Sequence, residues 1–137
     1  MATIDRRKMR EIKLILLAAG YRNARVTYGA LARETGLPRS GLNCGKKHVL
    51  HQYLRRIGDE CRSRRLPSLD FMVVRKDTRQ PGRGVDHRIK ERTQCTDADL
   101  ADFEKRQQLV EGLQNEVHDY CLHAAEHLHH LAELLRE

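Results

Sequence analysis

Apolar residues recur three and four apart at Met9, Ile12, Ile15, Leu16 and Ala19, with charges between them. That period predicts an amphipathic helix over residues 5–20, ending at Gly20. A polar connection follows over 21–25. The Thr27 hydroxyl is suited to cap a second helix over 28–35, and Gly36 supplies the left-handed residue that stops it. Leu37, Pro38, Arg39 and Ser40 restart the chain, with Ser40 as the cap of a third helix from Gly41 to about Arg64. Leu42, Val49, Tyr53, Leu54, Ile57 and Cys61 form its apolar stripe, and Leu66 and Pro67 end it. LDFMVV, residues 69–74, has the composition of a short strand, and RKDTRQPGRG beyond it that of a turn. The strand closing this hairpin is placed near residues 85–89.

The pattern changes after that. RGVDHRIKERTQ, residues 83–94, is mostly polar and reads as a linker or extended arm. Thr96 with Asp99 three residues on forms a capping-box-like start to a new helix. From there Phe103, Val110, Val117, Ala124 and Leu131 recur every seven residues, with Leu113, Tyr120 and Leu134 three after members of that series. Such a heptad suits one long helix whose stripe faces another helix. Unbroken to Arg136, that helix would reach about 60 Å, too long for so small a body to cover. Homodimerisation through Phe103, Val110, Leu113, Val117, Tyr120, Leu131 and Leu134 is one consequence. The alternative is a turn at Gly112 and two shorter helices packed back on the domain. Arg106 and His127, at inner positions, interrupt the stripe.

The expected fold is therefore mainly α with a small β-hairpin. A winged helix-turn-helix occupies residues 1–92, and a long C-terminal helix or helical hairpin residues 93–137. The 137 residues, 39% of them hydrophobic, suffice for one core and an appendage. No run of about 18 apolar residues is present, so no membrane association is expected. Cys44, Cys61, Cys95 and Cys121 are widely spaced with no CxxC pair, which suggests reduced thiols and a cytoplasmic protein, nucleoid-associated in a bacterium.

Charge sharpens the function. Residues 1–92 carry 23 Lys and Arg against 9 Asp and Glu, a balance of +14, whereas residues 93–137 carry 3 against 10, a balance of −7. A basic body with an acidic end points to a polyanion as partner of the first part. A winged helix lays the start of its last helix in the major groove of double-stranded DNA, while backbone contacts and the wing fix its register. Arg39, Ser40, Asn43, Lys46 and Lys47 are the expected groove-facing set. Arg75, Lys76, Arg79 and Arg83 are the expected phosphate contacts from the wing. The result would be a non-enzymatic regulator of transcription or reader of DNA structure, with no cofactor. A protein-interaction module or inhibitor, working through the acidic helix, is the competing expectation.

TYGALARETGLPRSGLNCG, residues 27–45, resembles the TYGxLAxxxGxPxxARAVG segment of O6-alkylguanine-DNA alkyltransferases and alkyltransferase-like proteins, with a weaker echo in LPSLDFMVV up to residue 74. The resemblance implies a winged-helix fold and DNA contact. It also implies that Tyr28, which stands at the family's tyrosine, presses on the DNA backbone as a base is rotated out; a tyrosine in a first helical turn can equally pack on the core. Leu42 stands where the family places the arginine that fills the base stack, and an apolar wedge serves that purpose in other proteins. The reactive-site motif (proline, then cysteine or tryptophan, then HR before two valines) is replaced by LDFM before Val73 and Val74. Alkyl transfer is not implied.

His118, Cys121, His123, His127, His129 and His130 crowd one stretch, and HAAEH, residues 123–127, matches the HxxEH pattern of some zinc peptidases. Those enzymes need a distant third ligand in a larger fold. A polar helix face is the expectation here, with no metal site.

Overall fold

In the computed structural model, which describes residues 4–42, 48–123, 132 and 134–136, the chain is mainly α-helical with one small β element. Helix α1 spans Arg6–Arg22. Asp5 caps it by accepting from the amides of Arg7 and Lys8, and Asn23 ends it in the left-handed conformation at φ 54°. Gly20 is thus inside the helix and not at its end. It is there because a later helix crosses at this point: a Cβ on Gly20 would lie 2.8 Å from Cys121 Sγ and 2.9 Å from Val117 Cγ1.

Strand β1 (Val26–Thr27) leads into α2 (Tyr28–Glu34), with the Thr27 hydroxyl accepting from the Ala30 amide as expected. Gly36 then adopts φ 73°. The third helix starts later than its sequence suggests. Gly41 is itself left-handed, at φ 80°, and α3 runs Val49–Ser63 with His48 as its cap, Nδ1 accepting from the Leu50 amide. Ser40 is an exposed loop residue. The buried face of α3 is Leu50, Tyr53, Leu54, Ile57, Gly58 and Cys61.

The expected hairpin is not formed. Leu69–Met72 is a 3-10 turn, and β2 (Val73–Val74) pairs with β1 in parallel, Val26 with Val73 and Thr27 with Val74. The basic segment after β2 closes on itself: the Arg75 amide donates to Gln80 O at 2.8 Å, and the Arg79 amide to Arg75 O at 2.9 Å. Residues 83–94 are neither strand nor linker. They form a 3-10 turn at Arg83–Val85 and helix α4 at Asp86–Thr93, ended by left-handed Gln94. Val85 and Ile89, four apart, are both buried, as the four-residue spacing of one helix face allows.

Helix α5 (Asp97–Ala101) opens with a reciprocal capping box between Thr96 and Asp99. The chain breaks at Asp102, which caps α6 (Phe103–Leu122). Gly112 does not turn the chain, and the described helix ends at Leu122. The heptad stripe from Val110 to Tyr120 is buried within the chain. Val110 and Leu113 pack with Phe71, Val85, Ile89 and Leu100, while Val117, Tyr120 and Leu134 join the core built on Met9, Ile12, Leu16, Leu50 and Ile57. Of the residues expected to meet a second subunit, Val110, Leu113, Val117, Tyr120 and Leu134 are buried within the chain itself. Phe103 is 51% exposed, and Leu131 and Ala124 lie outside the described residues.

Helix α6, beyond the boundary expected at residue 92, packs along α1 and contributes to both apolar clusters. Lys13, fully buried on α1, joins three parts of the chain: it pairs with Glu60 of α3 at 2.7 Å and donates to the carbonyl of Leu134. No described helix is long and apolar enough to cross a membrane.

A cation-lined cavity as candidate nucleic-acid interface

An open cavity of about 1260 Å³ lies where α2, α3, the loop after β2 and the start of α4 converge. Its apolar lining is Leu42, Leu54, Val85 and the ring of Tyr28; Arg55, Arg75, Lys76, Arg83 and Arg88 supply positive charge, against Asp70 and Asp77. Among the described residues the lining contains none of α5 or α6, so these two helices leave this face uncovered.

Tyr28 stands at the centre. Its hydroxyl accepts from the Gly82 amide at 2.9 Å, and its ring packs against His51 with centroids 5.1 Å apart. Burial raises the Tyr28 pKa, while the Gly82 bond works the other way. The phenol therefore stays neutral and holds the loop to the helix. The ring packs against the core and also lines the cavity. His51 donates from Nε2 to the Leu42 carbonyl at 2.9 Å, a carbonyl being able only to accept. Burial lowers its pKa, so the ring is neutral at pH 7.

The floor is an ion pair. Asp70, 2% exposed, and Arg88, 5% exposed, bond through Oδ2 and Nη2, and the Ser68 hydroxyl donates to Asp70 Oδ1. Burial pushes the Asp70 carboxyl up, and Arg88 and Ser68 pull it back. Gly58 makes the pair possible. Any Cβ there would sit far inside van der Waals contact with Arg88 Nη1 and 2.5 Å from its Cζ.

Of the residues expected to meet DNA, the structure brings Tyr28, Leu42, Arg75, Lys76 and Arg83 into this one lining. Arg75 is held by Asp77 in a two-point pair at 2.9 and 3.0 Å, and Arg83 reaches Asp86 at 3.3 Å and the Leu100 carbonyl at 2.7 Å. Arg39, Ser40 and Arg79 are exposed but do not line the cavity, and Asn43, Lys46 and Lys47 lie outside the described residues. His51, Arg55, Asp70, His87 and Arg88 belong to the lining and were not anticipated. Two of them had a visible signal: His51 and Arg55 are four apart, one turn of the same helix. Asp70 and Arg88 had none, because a partner 18 residues away appears only when the chain folds.

Among the described residues of the histidine-rich end, no such convergence is seen. His118 Nδ1 bonds the Gly20 carbonyl and His123 Nδ1 the Asp119 carbonyl, each at 2.8 Å; His127, His129 and His130 lie outside the described residues. Comparison of the chain with protein-family models, curated proteins and solved structures found no match.

Proposed function

We propose that the chain is a non-enzymatic double-stranded DNA-binding protein that presents the cavity-bearing face to the duplex. The observation that carries this reading is the lining itself: among the described residues, five cationic side chains against two carboxylates, around an apolar and aromatic interior, on a face helices α5 and α6 leave open. Arg55 and Lys76 are exposed at this face and bear the phosphate contacts, with Arg83 beside them. Leu42, half-buried at the cavity, stands at the position where the alkyltransferase-like resemblance places the residue that enters the base stack. It serves as an apolar wedge at a distorted step, and the cavity beside it receives the displaced group. This makes the protein a reader of DNA structure more than of sequence.

The test is fluorescence anisotropy with a labelled duplex, intact or carrying one unpaired base, from about 50 to about 200 mM salt. Binding should weaken steeply with salt and favour the distorted duplex, and Arg55→Glu with Lys76→Glu should abolish it. Absence of binding at the lowest salt would refute the reading.

A further inference from the structure

The basic loop after β2 is fixed from behind by a residue of the acidic segment. Arg106 of α6, 3% exposed, uses Nε and Nη2 on Asp86 Oδ1 at 3.1 and 2.8 Å, Nη1 on Gln80 Oε1 at 2.7 Å, and Nη2 on the Gly82 carbonyl at 3.1 Å. Gln80, 2% exposed, donates onward to the Phe103 carbonyl at 3.3 Å, and its own carbonyl closes the turn by accepting from Arg75. Gly82 is gripped from both sides: its carbonyl by Arg106, its amide by the Tyr28 hydroxyl. Arg106 itself does not line the cavity, and none of these contacts is explained by packing of an apolar helix face.

We infer that Arg106 is a positioning residue that holds the segment 75–83 in the one shape that directs Arg75, Lys76 and Arg83 at a DNA backbone. A planar guanidinium suits this role because its fixed fork of donors satisfies a carboxylate, an amide oxygen and a backbone carbonyl at once. A loop with that many charges and no strand partner would otherwise have to be ordered at the moment of binding, and the ordering would be taken out of the affinity. The inference rests on the DNA reading above.

The experiment compares the full chain with Arg106→Gln and Arg106→Lys in two measurements. The first is amide hydrogen exchange over residues 75–85, which needs no DNA. The second is duplex anisotropy over a salt series, at a temperature where circular dichroism shows each variant folded. Arg106→Gln is expected to speed exchange in 75–85 while leaving α1 and α3 protected, and to weaken binding about ten-fold. Its log-log salt slope should flatten by up to about 3, one phosphate for each of the three loop cations released from register. Arg106→Lys keeps the charge but not the fork and should fall between. Faster loop exchange with unchanged affinity and slope would overturn the positioning role while leaving DNA binding intact. Unaltered loop exchange would overturn it as well. If the parent chain binds no duplex, the DNA reading falls and this one with it.

Discussion

Gly58→Ala should destabilise the protein, although helix propensity alone says the opposite. In the interior of α3 an alanine is worth about 1 kcal/mol over glycine. The new methyl, however, would occupy the space of the Arg88 guanidinium, with Cζ only 2.5 Å away. Arg88 cannot swing aside cheaply, since it is 5% exposed and is the charged partner of Asp70, itself 2% exposed. Breaking a buried pair and leaving one charge uncompensated costs about 3–5 kcal/mol. The net expectation is a loss of about 2–4 kcal/mol once the propensity gain is subtracted. Urea unfolding followed by circular dichroism gives the number. The decisive comparison is the same substitution in an Arg88→Ala, Asp70→Asn background, where both charges and the clash are gone. There Gly58→Ala should stabilise by about 1 kcal/mol, so the two sites are coupled through the guanidinium. If Gly58→Ala stabilises the parent chain by that same amount, Arg88 is not packed against α3 and the floor of the cavity is misassigned.

The thiols and the cavity histidine give two further checks. Burial pushes Cys61 and Cys121 up to about 11, so at pH 8 neither should react with a thiol reagent except through unfolding, while half-buried Cys95 should label faster; rapid labelling of Cys121 would mean that α6 is not seated on α1. Burial holds His51 below its ordinary value, so the unfolded chain takes up its proton first, and this residue's contribution to stability is present above about pH 6.5 and is lost as the pH falls through the folded value. Its ring-proton NMR titration should show a midpoint below 6.5, and a midpoint above that would remove it from the cavity wall.

Elements whose causes are local were legible in the chain. The cap at Thr27, the left-handed stop at Gly36 and the capping box at Thr96 and Asp99 each depend on residues within a few positions, and each appears in the structure. What misled was composition without a partner. LDFMVV is rich in strand formers, yet only Val73 and Val74 pair, and with Val26 and Thr27, nearly fifty residues back. The polar run 83–94 looked like a linker because its two apolar residues, Val85 and Ile89, are too few to register as a period, though both are buried. The candidate site divides the same way. Its exposed cations could be seen in the sequence, whereas its floor, Asp70 with Arg88 over Gly58, exists only through packing.

The heptad carries the same lesson with a different cause. A seven-residue recurrence states that one face of a helix is covered, and it does not state by what. The covering elements here are α1 and the 3-10 turn on one side and α4 and α5 on the other, so α6 becomes the central support of the fold. Arg106, which interrupted the stripe as a dimer seam, is explained by that position: an inner site facing the basic loop needs hydrogen-bond donors instead of another methyl group. The charge division then acquires a structural meaning. Helices α5 and α6 do not line the basic face but stand behind it, and the deeply buried Arg106 of α6 orders the loop in front.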